Sequence, residues 1–100
     1  MKVKAGVKFH KDTWKYPEVV RIIRIVEDSA PPQYEPTITS GCDGEHVKES
    51  KHYYGKALDF RVRDLQEAPR ERWKGKIERR LGNDYYVKLS SVSLHIQWNG

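Results

Sequence analysis

A single cysteine, Cys42, occurs in the whole chain. That excludes a disulfide within the chain and leaves no C-x-x-C pair for a zinc finger or thiol redox motif, so any metal site must be made from imidazole and carboxylate. Long apolar runs are also missing. No window approaches the roughly 18 apolar residues that a membrane-spanning helix needs. The basic start Met1-Lys2-Val3-Lys4-Ala5-Gly6 is not followed by the apolar stretch of a secretory signal. The expectation is a chain made in the cytoplasm, with no stable membrane insertion. Internal repeats and low-complexity tracts are absent, and the basic residues never gather into a run of about five or six.

What is present fits one small domain spanning 1–100, able to fold alone on a thin core. Hydrophobic residues make up only 37% of the chain, but they fall in periodic runs between turn signals, which separates a compact fold from disorder. Three Trp and six Tyr add to this, because each large aromatic buries much area per residue. The net charge of +5 favours polyanionic surroundings. Charge alone does not choose among nucleic acid, an anionic cell wall and an acidic membrane face.

The alternation of Val3, Ala5, Val7 and Phe9 predicts a short strand over residues 3–9. Pro17 suits a first helical position, and Val19, Ile22, Ile23 and Val26 recur at helical spacing, which predicts a helix from Pro17 to about Asp28. Its β-branched content is high, so packing against a sheet has to hold it. Pro31, Pro32 and Pro36 mark a loop, and Thr37-Ile38-Thr39-Ser40 a short strand ending at Gly41. A strand follows over Ala57 to Val62, with Leu58, Phe60 and Val62 on one face and Ala57, Asp59 and Arg61 on the other. Pro69 opens a second helix carrying Trp73, Ile77 and Leu81 inward, with Gly82 as its C-cap. Its outer side is strongly basic. Glu71 and Glu78 interrupt that field and no base-reading motif accompanies it, so nucleic acid is not the expected partner. Tyr85 to Trp98 reads as two strands with a turn at Ser90-Ser91, in which His95 faces away from Leu94 and Ile96.

The chemistry concentrates in Ser50-Lys51-His52-Tyr53-Tyr54-Gly55-Lys56-Ala57-Leu58-Asp59 and in Ser93-Leu94-His95-Ile96-Gln97-Trp98. An imidazole, a glycine turn, a carboxylate and a distant second imidazole form a ligand set suited to zinc. Gly55 lets the chain turn so that His52 and Asp59 converge, and His95 lies on the polar side of a strand that can sit beside Asp59. Three protein ligands leave one position for water, whose pKa zinc lowers to about 7. Arg61, on the Asp59 face, is positioned to hold a substrate carboxylate, and Ser50 and Gln97 are further substrate-binding candidates. His10 reads as a surface residue, His46 as a neighbour of the site or a substrate contact, and Cys42 as a small apolar side chain.

The stretch from Ser50 to Asp59 resembles the S-x-H-x-x-G-x-A-x-D signature of the zinc D-Ala-D-Ala carboxypeptidase and L-alanyl-D-glutamate endolysin peptidase family, whose fold the hedgehog signalling domain shares. Thr39-Ser40-Gly41 resembles the family's T-S-G segment, and Leu94-His95-Ile96-Gln97-Trp98 its last ligand strand. The resemblance implies an α+β fold, a small antiparallel sheet backed by two helices with the zinc site in an open groove. It also implies zinc on His52, Asp59 and His95, and a peptidoglycan peptide as substrate. Two positions depart from the pattern. The family's acidic residue three places before the last histidine is Val92 here, and the arginine that often follows T-S-G is replaced by Cys42, Asp43 and Gly44. Glu45 and Asp43 are the candidate substitutes for the missing catalytic acid, with Glu49 and Asp84 as further carboxylates nearby in sequence.

The reading that follows is a monomeric zinc metallopeptidase cutting a cell-wall peptide bond. By analogy at the level of the fold, it would reach the wall after release in a phage or prophage lytic setting. The alternative is a zinc-holding structural or wall-binding module that has lost catalysis through Val92.

Overall fold

In the computed structural model, residues 1–42 and 54–100 are described. They form an α+β unit in the order β1 (Lys2–Val3), α1 (Pro17–Ser29), β2 (Thr37–Ser40), β3 (Ala57–Arg61), α2 (Glu67–Leu81), β4 (Tyr85–Leu89) and β5 (Ser93–Trp98). The described strands make one five-stranded sheet in the order β1-β2-β3-β5-β4. It is antiparallel except at its edge, where Lys2 and Val3 pair in parallel with Thr37 and Ile38.

The two faces follow from the period of two. Leu58, Phe60, Leu94, Ile96 and Val87 alternate onto one side, where they bury against Val19, Ile22, Ile25 and Val26 of α1 and Trp73, Ile77 and Leu81 of α2. Fully burying a side chain of this size contributes about 1.5–3 kcal/mol, so this one shared core outweighs the weak helix propensity of the β-branched α1. The periodicity placed Ile23 in the core, but Ile25 is the residue that is buried, and Ile23 packs at the margin. Two hydrogen bonds fix the helical layer. The Arg21 guanidinium donates to the Arg80 carbonyl at 2.7 Å, and the Tyr85 hydroxyl donates to the Glu18 carbonyl at 2.7 Å.

Several boundaries differ from the sequence reading. The alternating stretch 3–9 is not a strand beyond Val3, because Gly6 turns the chain at φ 87° and the Val7 amide folds back onto the Lys4 carbonyl. Helix α2 begins at Glu67, two residues before Pro69. A proline there costs no intrahelical hydrogen bond, since the first four amides have no partner in the helix. Gly82 does terminate α2, with φ 83° and its amide on the Glu78 carbonyl at 3.0 Å.

The segment 8–13, joined to the sheet by no ladder, acts as a platform. The Cys42 amide donates to the Lys8 carbonyl at 2.7 Å. A Cβ on Gly55, whose φ is 75°, would sit 2.9 Å from both His10 Cβ and Thr13 Oγ1. The described residues on either side of 43–53 therefore both abut this platform, and only glycine fits at Gly55.

Candidate metal centre

The sheet brings two of the three expected ligands into contact. Asp59 on β3 and His95 on β5 are directly opposed in the antiparallel register, so their side chains leave the same face. Asp59 Oδ1 lies 2.8 Å from His95 Nδ1, and both side chains are about four-fifths buried, with relative exposures of 18% and 21%. The third expected ligand, His52, lies outside the described residues, as do Ser50, Asp43, Glu45, Glu49 and His46. Among the described residues alone, no group of three or more metal-ligating side chains occurs.

The opposite nitrogen of the ring is also engaged. His95 Nε2 is 2.7 Å from Gln97 Oε1, and the Gln97 amide nitrogen in turn donates to Asn99 Oδ1 at 2.7 Å. That second bond orients the amide, presenting its oxygen to the ring. Burial disfavours a charged ring here, but the hydrogen bonds to Asp59 and Gln97, with the Asp59 charge, outweigh it and hold the His95 pKa above its ordinary value. Lys88, aligned with His95 across β4 and β5, works in the opposite direction.

An imidazole between two acceptors needs a cation. Either the ring carries both protons, or a metal takes the place of the proton on Nδ1. The residues fit zinc on this criterion. Bonds of about 2.0–2.2 Å at a tetrahedral angle span roughly 3.3 Å between donor atoms, so the 2.8 Å pair has to open by only about 0.5 Å. Gln97 then holds Nε2–H, as the outer hydrogen-bond acceptor of a ligating histidine does. Searches among known proteins add no support from relatives. No family model, curated protein or solved structure matches this chain. The resemblance to the zinc peptidases therefore rests on the motif residues alone.

The neighbours of the pair are defined by register. Ser40 is aligned with Asp59 from β2, and Thr39 Oγ1 donates to the Asp59 carbonyl at 3.4 Å. On the other side, the Tyr86 ring stands edge-on to the His95 ring, with centroids 6.2 Å apart. Tyr86 and Lys88 were not singled out by the sequence reading. They become visible once the hairpin register is fixed, because β4 alternates Tyr86 and Lys88 against Tyr85, Val87 and Leu89.

The remaining candidates fall as follows. Arg61, opposite Ser93 on the same face as Asp59, has a buried Nε without a hydrogen-bond partner. Gln97 is occupied by His95 and Asn99. Val92 sits exposed in the β4–β5 turn, at 56% of its full accessibility. Asp84 lies away from the Asp59–His95 pair. Its carbonyl accepts from the Asn99 amide, four residues along β5 from His95, or about 13 Å at strand rise. His10 keeps 29% of its side-chain exposure, and its Nδ1 accepts the Asp12 amide at 3.0 Å.

Proposed function

We propose that this chain is a zinc-dependent peptidase of peptidoglycan, with His52, Asp59 and His95 as the metal ligands. The observation that carries the reading is the Asp59–His95 pair at 2.8 Å, with the far ring nitrogen fixed by Gln97. Zinc, when bound, supplies Lewis acidity toward a carbonyl and lowers the pKa of water.

The chain's own residues do the rest. Asp59 and His95 are held by two adjacent strands, and sites on strands keep their geometry better than sites on loops. Arg61 offers its guanidinium to a carboxylate of the substrate peptide, two residues along β3 from Asp59. The general base falls to Glu45 or Asp43, in the segment that leads to His52, since Val92 carries no proton-accepting group. The positive net charge assists encounter with an anionic wall. The enzyme is read as a monomer acting on the wall after a lytic release.

A second reading is favoured by Val92 itself, which is exposed at the position where the family places its acid. In that reading the centre retains zinc but not catalysis, and the domain serves as a structural or wall-binding module.

The deciding experiment incubates zinc-loaded protein with purified peptidoglycan fragments and analyses the products by mass spectrometry, with chelator-treated and His52→Ala samples in parallel. A defined cleavage product that disappears in both controls supports the peptidase and names the bond. No product from a protein shown to hold one zinc per chain rejects the peptidase and leaves the non-catalytic module.

A further inference from the structure

The edge strand β4 carries a cation beside the metal centre that the ligand set does not require. Lys88 is directly opposed to His95 across β4 and β5, and Asp59 opposes His95 from β3, so the three side chains leave one face of the sheet in a row. Tyr86 and Gln97 form the next opposed pair on that face. Opposed side chains have their Cβ atoms about 5 Å apart, so the flexible Lys88 stem starts beside the imidazole. No described strand lies beyond β4, which leaves this side of the centre open to a ligand.

Lysines on edge strands often serve only to discourage pairing with another chain. Three observations give Lys88 a different character. Its exposed side chain has no carboxylate within ion-pair distance among the described residues. Burial and the Lys88 charge both oppose protonation of the His95 ring, so the field of the ammonium reaches the centre. Tyr86, 47% exposed, stands edge-on to the same ring at 6.2 Å and walls the open side next to Lys88.

We propose that Lys88 is a specificity-determining residue that binds a free α-carboxylate on the residue supplying the nitrogen of the scissile bond, with Tyr86 packed against that residue's side chain. The inference rests on the peptidase reading. When the scissile carbonyl is at the Asp59–His95 centre, the residue on the nitrogen side holds its α-carboxyl on the carbon bonded to the scissile nitrogen. A cation one strand from His95 reaches that distance. On the carbonyl side, the α-carboxyl either is the scissile carbonyl itself or, in a residue linked through its side chain, lies a side chain's length away. A carboxamide at the selected position loses the charge and turns N–H donors toward an ammonium that has only donors of its own. Stem peptides amidated there are therefore poor substrates.

The test uses two matched pairs of peptides, N-acetyl-L-alanyl-γ-D-glutamic acid with its α-carboxamide and N-acetyl-D-alanyl-D-alanine with its C-terminal carboxamide. Calorimetric Kd and kcat/KM are measured for each on zinc-loaded protein. In at least one pair the parent should favour the acid by about five- to tenfold, the range of a charge-assisted contact near the surface. Lys88→Met should bring the two forms within about twofold, and Lys88→Glu should favour the carboxamide. Lys76→Met, which removes the same charge from the helical layer, should keep the parent's preference. Zinc content equal to the parent's reports that each variant leaves the centre intact. An acid preference that survives in Lys88→Met, as direct binding of the carboxylate to zinc would give, overturns the proposal. So does a parent that binds acid and carboxamide equally in both pairs, or binds none of the four. If no peptide is cut, the peptidase reading fails, while the Kd values still decide the subsite.

Discussion

Replacing Gln97 with leucine tests the metal centre at a residue that is not itself a proposed ligand. In the parent, Gln97 Oε1 lies 2.7 Å from His95 Nε2 and so supports the Nε2–H tautomer that frees Nδ1 for a metal, against the Asp59 carboxylate, which favours the proton on Nδ1. Leucine removes that acceptor. The single proton of the neutral ring then moves to Nδ1, where it satisfies Asp59 and blocks the nitrogen that zinc needs. Loss of an outer partner of this kind typically weakens metal binding about 10- to 100-fold, or roughly 1.4–2.7 kcal/mol. Folding should lose about 1–3 kcal/mol for the two hydrogen bonds that Gln97 makes, to His95 Nε2 and Asn99 Oδ1. The assay is competition for zinc against a chromophoric chelator, comparing the parent with Gln97→Leu, Gln97→Glu and Asp59→Ala. Glutamate keeps an acceptor for Nε2–H and should retain or strengthen binding. The tautomer reasoning is refuted if Gln97→Leu binds zinc within about threefold of the parent while Asp59→Ala loses it.

Two further outcomes follow from the same geometry. In the metal-free protein the raised His95 pKa contributes stability that is fully present below 6.5 and is lost as pH rises through the folded value. Thermal melts in chelator should therefore show Tm falling above pH 6.5, with His95→Gln lacking that component; a pH-independent difference between the two proteins would contradict it. Gly55→Ala places a Cβ at φ 75°, against His10 and Thr13. The left-handed backbone alone costs about 1–2 kcal/mol, and each kcal/mol lowers Tm by about 4–8 °C in a domain of this size. A melt unchanged from the parent would show that the platform gives way.

The parts of the site that could be read from sequence are those governed by strand periodicity. Alternation alone put Asp59 opposite the Leu58–Phe60 face and His95 opposite the Leu94–Ile96 face. A tight turn between β4 and β5 then leaves few registers. The 3–9 stretch shows the limit of the same signal, because its alternation is as regular as that of β5 but Gly6 folds the chain away after Val3. Alternation reports which residues share a face and says nothing about whether a partner strand is present. Pro69 misled in another way. As a strong helix-start signal it hid the two residues before it, where an amide is dispensable in any case. The cavity between the end of α1 and α2, lined by Asp28, Ser29, Ala30, Lys76, Arg79 and Arg80, was legible only as a basic helix face, because tertiary packing brings Ser29 and Ala30 alongside.

The proton and the metal compete for one atom in the proposed centre. His95 Nδ1 faces a carboxylate at 2.8 Å, and the two strands that set this distance are paired along their length from Ala57 to Arg61. Below the pH at which His95 titrates, the ring holds a proton on the atom where zinc would bind, and binding would release it. Two consequences are linked. Zinc affinity rises with pH through the range in which metal-free stability falls, because both follow the same proton. The Asp59–His95 half of the centre is also already assembled without zinc, so binding does not have to bring those two side chains together.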